Sequence, residues 1–269
     1  MADEEKRALP GSTGGDMTFL DHLGELRDRL IKIVLAVLLM MAISFVYSNT
    51  IIKWLLYPPM IIPDLKPPIQ LMRPVITQVQ GLMMVKIQVG LIAGIVLSIP
   101  VIAYQLWRFI SPALKKSEKR FAIPLIFFIT FFFLLGATFA YLVVIPITLN
   151  FLLSMGNIDT ELGIVVENMI DVDQYLSFVS GFMLISGATF EMPVIAFFLA
   201  KIGILSPQFM REYWRHAAVA CLLVSAVITP TTDMITMFVV AAPMLVLYEM
   251  SIWVAKFATR KKKSDEKHN

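Results

Sequence analysis

One carboxylate stands alone in an apolar stretch, and chemistry could be concentrated there. Between Asp173 and Lys201 the only acidic or basic side chain is Glu191. At about 1.5 Å per helical residue it lies roughly 14 Å from Lys201, near the middle of a ~30 Å hydrocarbon core. A carboxylate at that depth costs roughly 2.5–3.5 kcal/mol, so it needs a partner, a water-filled cavity or a proton. Pro193, two residues on, removes a backbone donor and should kink the helix beside it. With Gly181 and Gly187 nearby, the point reads as a place where something docks or passes. The plainer alternative is a neutral carboxyl hydrogen-bonded to a neighbouring helix.

Two more acids stand apart, Glu25 and Glu118. Glu25 lies on an amphipathic helix over Phe19–Leu30, with His22, Asp28 and Arg29 on the same polar face and Leu23, Leu26 and Leu30 on the apolar one. Glu118 sits in the basic loop SPALKKSEKR, just after Phe109-Ile110-Ser111-Pro112, where Pro112 sets how the chain leaves the membrane. Simple local pairing accounts for both acids: Glu25 with Arg29 at i,i+4, and Glu118 with its lysines, each worth about 0–1 kcal/mol. Glu249, one to two turns inside the last apolar run, reads as a packing-level hydrogen bond or a snorkelling side chain. Cys221 is a lone cysteine, which excludes an internal disulfide, and His22, His216 and His268 have no ligand spacing. No phosphate loop, dinucleotide fingerprint, zinc-protease helix or nucleophile elbow occurs. No cofactor, metal, nucleic acid or enzymatic activity is expected.

The elements that position these residues are membrane helices. The chain has 269 residues, 58% hydrophobic and 16% charged, with a mean hydropathy of +0.76, the composition of a polytopic membrane protein. Residues 1–18 are polar and read as a disordered tail, with no removable secretory leader. Six apolar runs lie near 30–47, 82–107, 121–147, 175–200, 217–228 and 234–255. The fold expected is all-α: one six-helix membrane domain over 19–256 and a basic tail over 257–269. Spans five and six are short. They are joined by the proline-bearing turn Thr229–Asp233, so their outer tip should lie below the membrane surface. The loop Asn49–Gln80 holds six prolines, which exclude a long helix there. The loop Thr148–Val172 has no Lys or Arg.

Charge sets the orientation. The segments at one end of the spans hold eighteen Lys and Arg, against three in Lys53, Lys66 and Arg73 at the other. Both termini are therefore expected in the cytoplasm.

The motifs FLDHLGELRDRL, YQLWRFISPALKKSEKR, DVDQYLSF, TFEMPV and ITPTTD with PMLVLYE resemble, in order, those of the TatC family, the multispanning core of the twin-arginine protein translocase. The resemblance covers Phe19 to Ala255. It implies that Glu25 and Glu118 recognise the paired arginines of a folded substrate's signal peptide. Arg27 matches the family's entry-segment arginine, Phe109 its loop aromatic and Pro112 its loop proline. Asp171 and Tyr175 match the outer-loop-to-span-four segment, and Glu191 the membrane-embedded glutamate. Thr229 matches a hairpin position where single-span partners dock. The turn reads TPTTD where a shorter TPPD is common, and Thr236-Met237 stand where glutamine is frequent, which bears on docking details.

The resemblance further implies TatA- and TatB-type single-span partners, membrane lipid contact, self-association, the proton-motive force as energy source, and the bacterial inner membrane as location. The alternative is a proton-coupled small-solute transporter using Glu191. It requires inverted repeats and paired broken helices, and no internal repeat is evident.

Overall fold

The computed structural model describes residues 19–56, 73–76, 80–113, 122–155, 169–228 and 234–265. Helix α1 (Phe19–Val46) joins the entry segment to the first span without a break, because no proline interrupts it. Helix α2 (Ser48–Leu56) follows, then strand β1 (Arg73–Val75). Helix α3 (Gly81–Ile110) ends in a 3₁₀ turn, Ser111–Ala113. Helix α4 (Ala122–Phe139), a π turn (Ala140–Val144) and helix α5 (Ile145–Met155) form one continuous rod. Strand β2 (Met169–Asp171) leads into α6 (Val172–Phe190), and α7 (Met192–Ile202) continues it after a break at Glu191. Then come α8 (Pro207–Glu212), α9 (Trp214–Ile228) and α10 (Met234–Asp265).

Among the described residues five stretches are long and apolar enough to cross a membrane: His22–Val46, Gly81–Ile110, Ala122–Phe151, Val172–Ile202 and Val240–Thr259. The apolar Trp214–Val227 is shorter, and the 15 residues of α9 cover only about 22 Å. The fifth span is therefore short, as expected. The sixth is not short as a helix: α10 has 32 residues, of which the apolar part, Val240–Thr259, has 20. It continues to Asp265, into the segment expected as a basic tail, since a run of Lys and Arg favours helix and complements a helix C-terminus.

The fold is helical, as expected, apart from one short pairing. β1 and β2 lie in parallel, Arg73 beside Met169 and Val75 beside Asp171. Two boundaries need correction. The third span does not stop at 147, and Thr148 is not in a loop. Pro146 is absorbed by the π turn, in which the Ile145 N–H reaches back five residues to the Ala140 carbonyl, making room for the proline ring. The start of the Asn49–Gln80 loop is helical as α2, because its prolines begin only at Pro58. The expected tail 1–18 lies outside the described residues.

Helices associate here through close packing, because lipid removes the usual apolar drive. A Cβ on Gly136 of α4 would fall 2.7 Å from the Ser186 carbonyl oxygen of α6, and one on Gly187 only 2.8 Å from the Phe133 ring. These two glycines set the α4–α6 distance beside Glu191. α7 and α10 meet through buried Ala196, Ala200, Ala255 and Ala258.

The bundle has two distinct ends. At one, the start of α1 meets the end of α3 through Arg29 and Gln105. The end of α3 touches α7 through Trp107 and Phe198, ring centroids 5.2 Å apart, and α8 is tied to α10 by Arg211 and Glu249. The basic segments described therefore converge on one end. At the other, the Tyr141 hydroxyl donates to the Trp54 carbonyl and Tyr175 to the Leu55 carbonyl at 3.2 Å. These tyrosines satisfy two of the carbonyls that the end of α2 leaves open and fasten α2 to the bundle.

Candidate functional site

At the basic end, His22, Glu25 and Arg29 fall on one face of α1 at helical spacing. Gln105 and Phe109, also one turn apart, face them from α3. Arg29 Nε donates to Glu25 Oε1 at 3.0 Å, and its Nη2 donates to the same oxygen. Arg29 Nη1 donates to Gln105 Oε1 at 3.3 Å. The pair is half-buried, with side-chain exposures of 12% for Arg29 and 19% for Glu25. The second carboxylate oxygen, Oε2, is buried with no hydrogen-bond partner among the described residues. The His22 and Phe109 rings stack at 4.4 Å with an interplanar angle of 16°. Pro112 lies on the exposed 3₁₀ turn directly after them.

The i,i+4 pairing of Glu25 with Arg29 is the one the spacing predicts. Arg27 differs: its side chain is 75% exposed and Nη2 contacts neighbouring Asp28 Oδ1 at 3.0 Å, pointing away from Glu25's partner set. Glu118 lies outside the described residues.

Glu191 occupies the break between α6 and α7, and Pro193 sits two residues on, in the first turn of α7. A proline there cannot donate to the Thr189 carbonyl, so the helix opens one turn before it. The side chain is only 8% exposed, close to the backbone of Phe133. Neither carboxyl oxygen has a well-formed hydrogen bond among the described residues. An apolar groove of about 360 Å³ runs alongside, lined by Phe128, Phe132, Pro193, Val194 and Lys201 among others. The backbone of Phe133, on neighbouring α4, is the polar group that approaches the carboxyl.

Asp171 caps α6, its Oδ1 accepting from the Asp173 N–H at 2.9 Å, while its backbone pairs with Val75. Tyr175 is buried on the α2 clamp. Glu249 accepts from Arg211 Nη1 at 2.7 Å. That corrects the reading of a packing-level hydrogen bond: its partner is a cation on α8, and the contact is largely exposed. Met237 lends its carbonyl to the Ser225 hydroxyl at 2.6 Å, joining α10 to α9. Thr236 stands beside it on α10, and Thr229 lies outside the described residues. No group of three or more His, Cys, Asp or Glu suited to a metal occurs among the described residues.

The profile of the family described as Sec-independent protein translocase protein (TatC) matches residues 21–243. The chain belongs to the TatC family. A TatC of Aquifex aeolicus (strain VF5) is 37% identical over 251 residues, covering 93% of this chain and 100% of that protein. The chloroplastic TATC of Arabidopsis thaliana is 33% identical over 265 residues, covering 95% of this chain and 70% of that one. A crystal structure of a twin-arginine translocase receptor TatC superimposes with a TM-score of 0.75 at 36% identity, covering 88% of this chain and 99% of the other.

In this TatC-family chain the expected site residues divide among three places. Glu25, Phe109 and Pro112 gather at the basic end, Glu191 lies mid-bundle, and Asp171 and Tyr175 hold the opposite end. Two neighbours at the first place, His22 and Gln105, are not marked as site residues by sequence reasoning. Helical spacing puts His22 on a polar face and says no more. The signal for Gln105 is its type, an amide inside an apolar run one turn before Phe109.

Proposed function

We propose that this chain is the receptor and scaffold subunit of a twin-arginine translocase in a bacterial inner membrane. Its membrane domain over 19–256 binds the twin-arginine signal peptides of folded proteins at Glu25 and Glu118, near Arg27, Phe109 and Pro112. It assembles with TatA- and TatB-type single-span subunits around Thr229, Thr236 and Met237, and the proton-motive force drives export. The observation that carries this is the Glu25 carboxylate: half-buried, fixed by Arg29 through one oxygen, with the other buried and lacking a donor among the described residues. Such a group suits an incoming guanidinium. The test is export of a twin-arginine reporter in cells whose own TatC gene is deleted and replaced by this one. Export with an Arg-Arg signal and none with Lys-Lys is the expected result; no export with either, at normal membrane levels, rejects the reading.

The basic end faces the cytoplasm in this proposal, on the eighteen-to-three charge split. Cysteines placed at Ser12, Ser117 and Ser264 should be shielded from an impermeant thiol reagent applied outside intact spheroplasts. Cysteines at Pro63 and Thr160 should label. Labelling at position 117 from outside reverses the orientation.

A further inference from the structure

The stacked pair His22–Phe109 joins the start of α1 to the end of α3. α1 and α3 are locked together further along, where Gly90 and Gly94 admit Met41 and Phe45. The two rings lie nearly parallel, 4.4 Å apart, one helical turn from Glu25 on one side and from Gln105 on the other. Both rings are only partly buried, and each has one face turned away from the other. One turn along α1 from His22, the Glu25 carboxyl has a buried oxygen without a donor among the described residues. Its sister oxygen is held by Arg29, whose remaining reach is taken by Gln105.

A planar cation fits this arrangement. Guanidinium stacks on aromatic faces and donates in its own plane, whereas ammonium is a compact, strongly hydrated point charge. We propose that His22 is a specificity-determining residue for arginine over lysine: its ring, stacked on Phe109, carries the guanidinium that the Glu25 carboxylate, one turn along α1, attracts. Arg29 and Gln105 are the positioning residues, holding the carboxylate through Oε1. This rests on the reading of Glu25 as a signal-peptide contact and adds the element that separates the two basic side chains. Charge alone cannot separate them, since a carboxylate attracts both.

The test uses the full-length protein in nanodiscs and two fluorescent signal peptides, identical except for Arg-Arg or Lys-Lys, with binding read by anisotropy. His22→Leu removes the flat face and keeps an apolar side chain of similar size. It should weaken Arg-Arg binding about two- to fivefold, the range for a cation over an aromatic ring, and weaken Lys-Lys binding less, so that the Arg/Lys preference falls. His22→Phe keeps a flat ring and should restore the preference. Glu25→Gln is measured in parallel. If Glu25→Gln leaves Arg-Arg binding intact, the site reading itself fails. If Glu25→Gln weakens binding but His22→Leu lowers both peptides equally, or His22→Phe behaves as His22→Leu, then His22 only packs and this inference is overturned.

Discussion

Replacing Glu191 by leucine is expected to abolish most export of twin-arginine substrates, while glutamine at the same position preserves most of it. The carboxyl is buried at a helix break, and neither oxygen has a well-formed hydrogen bond among the described residues. A buried polar group without a partner lowers stability by about 1–3 kcal/mol, and an apolar replacement of similar shape is neutral or stabilising. The leucine variant should therefore fold at least as well as the parent, with unchanged membrane abundance and a thermal midpoint that does not fall. If it still loses export, the carboxyl is kept for what it binds during transport. A hydrogen bond to such a group is worth roughly 1.5–3 kcal/mol, so the loss should be about 10- to 100-fold. Glutamine keeps one acceptor and gains a donor at the same place, without a titrating proton. Loss of export in both variants favours proton transfer through Glu191, the step a proton-coupled transporter requires. Full export by the leucine variant would show that the group is incidental.

The break at Glu191 is legible in the sequence, because proline acts locally: Pro193 removes the donor to residue 189 and the chain opens there whatever surrounds it. The spans are legible for a related reason, since each is a continuous apolar run bounded by charge. The Glu25–Arg29 pair follows from helical spacing alone. Contacts made across the chain are not legible. β1 and β2 lie about a hundred residues apart, and each is only three residues long, too short for a period-2 pattern to register. The π turn is a response to Pro146 that depends on helix continuity being enforced by neighbours. Tyr141 and Tyr175 meet α2 through their hydroxyls, and nothing in their local sequence names a carbonyl 87 or 120 residues away. The neighbourhood of Glu25 falls between the two cases. Its α1 half follows from spacing, whereas Gln105 and the stack on Phe109 depend on how α1 crosses α3.

That neighbourhood changes how the acid should be tested. Glu25→Gln should weaken binding of an Arg-Arg signal peptide about tenfold, and Glu118→Gln should also weaken it. Alanine is the poorer choice at position 25. Only 12% of the Arg29 side chain is exposed, and removing its acceptor leaves a buried cation held, among the described residues, only by Gln105, a structural penalty unrelated to ligand. Glutamine leaves an oxygen for Arg29 and removes the charge that an incoming arginine would meet. Two exposed ion pairs contribute only about 2 kcal/mol, against the roughly 8 kcal/mol of micromolar affinity. The apolar part of the peptide must therefore supply most of the binding, and the acids its selectivity. A double-mutant cycle pairs each acid variant with each peptide arginine changed to glutamine. Glu25 should couple to one arginine by about 1–2 kcal/mol, the range for a hydrogen bond to a charged group in a partly buried site. With Lys-Lys in the peptide the effect of Glu25→Gln should shrink, because the planar donor set is gone. Coupling below about 0.3 kcal/mol for both acids with both arginines, the limit of additivity for independent sites, together with no crosslink from position 118 to the peptide, would place recognition elsewhere on the chain.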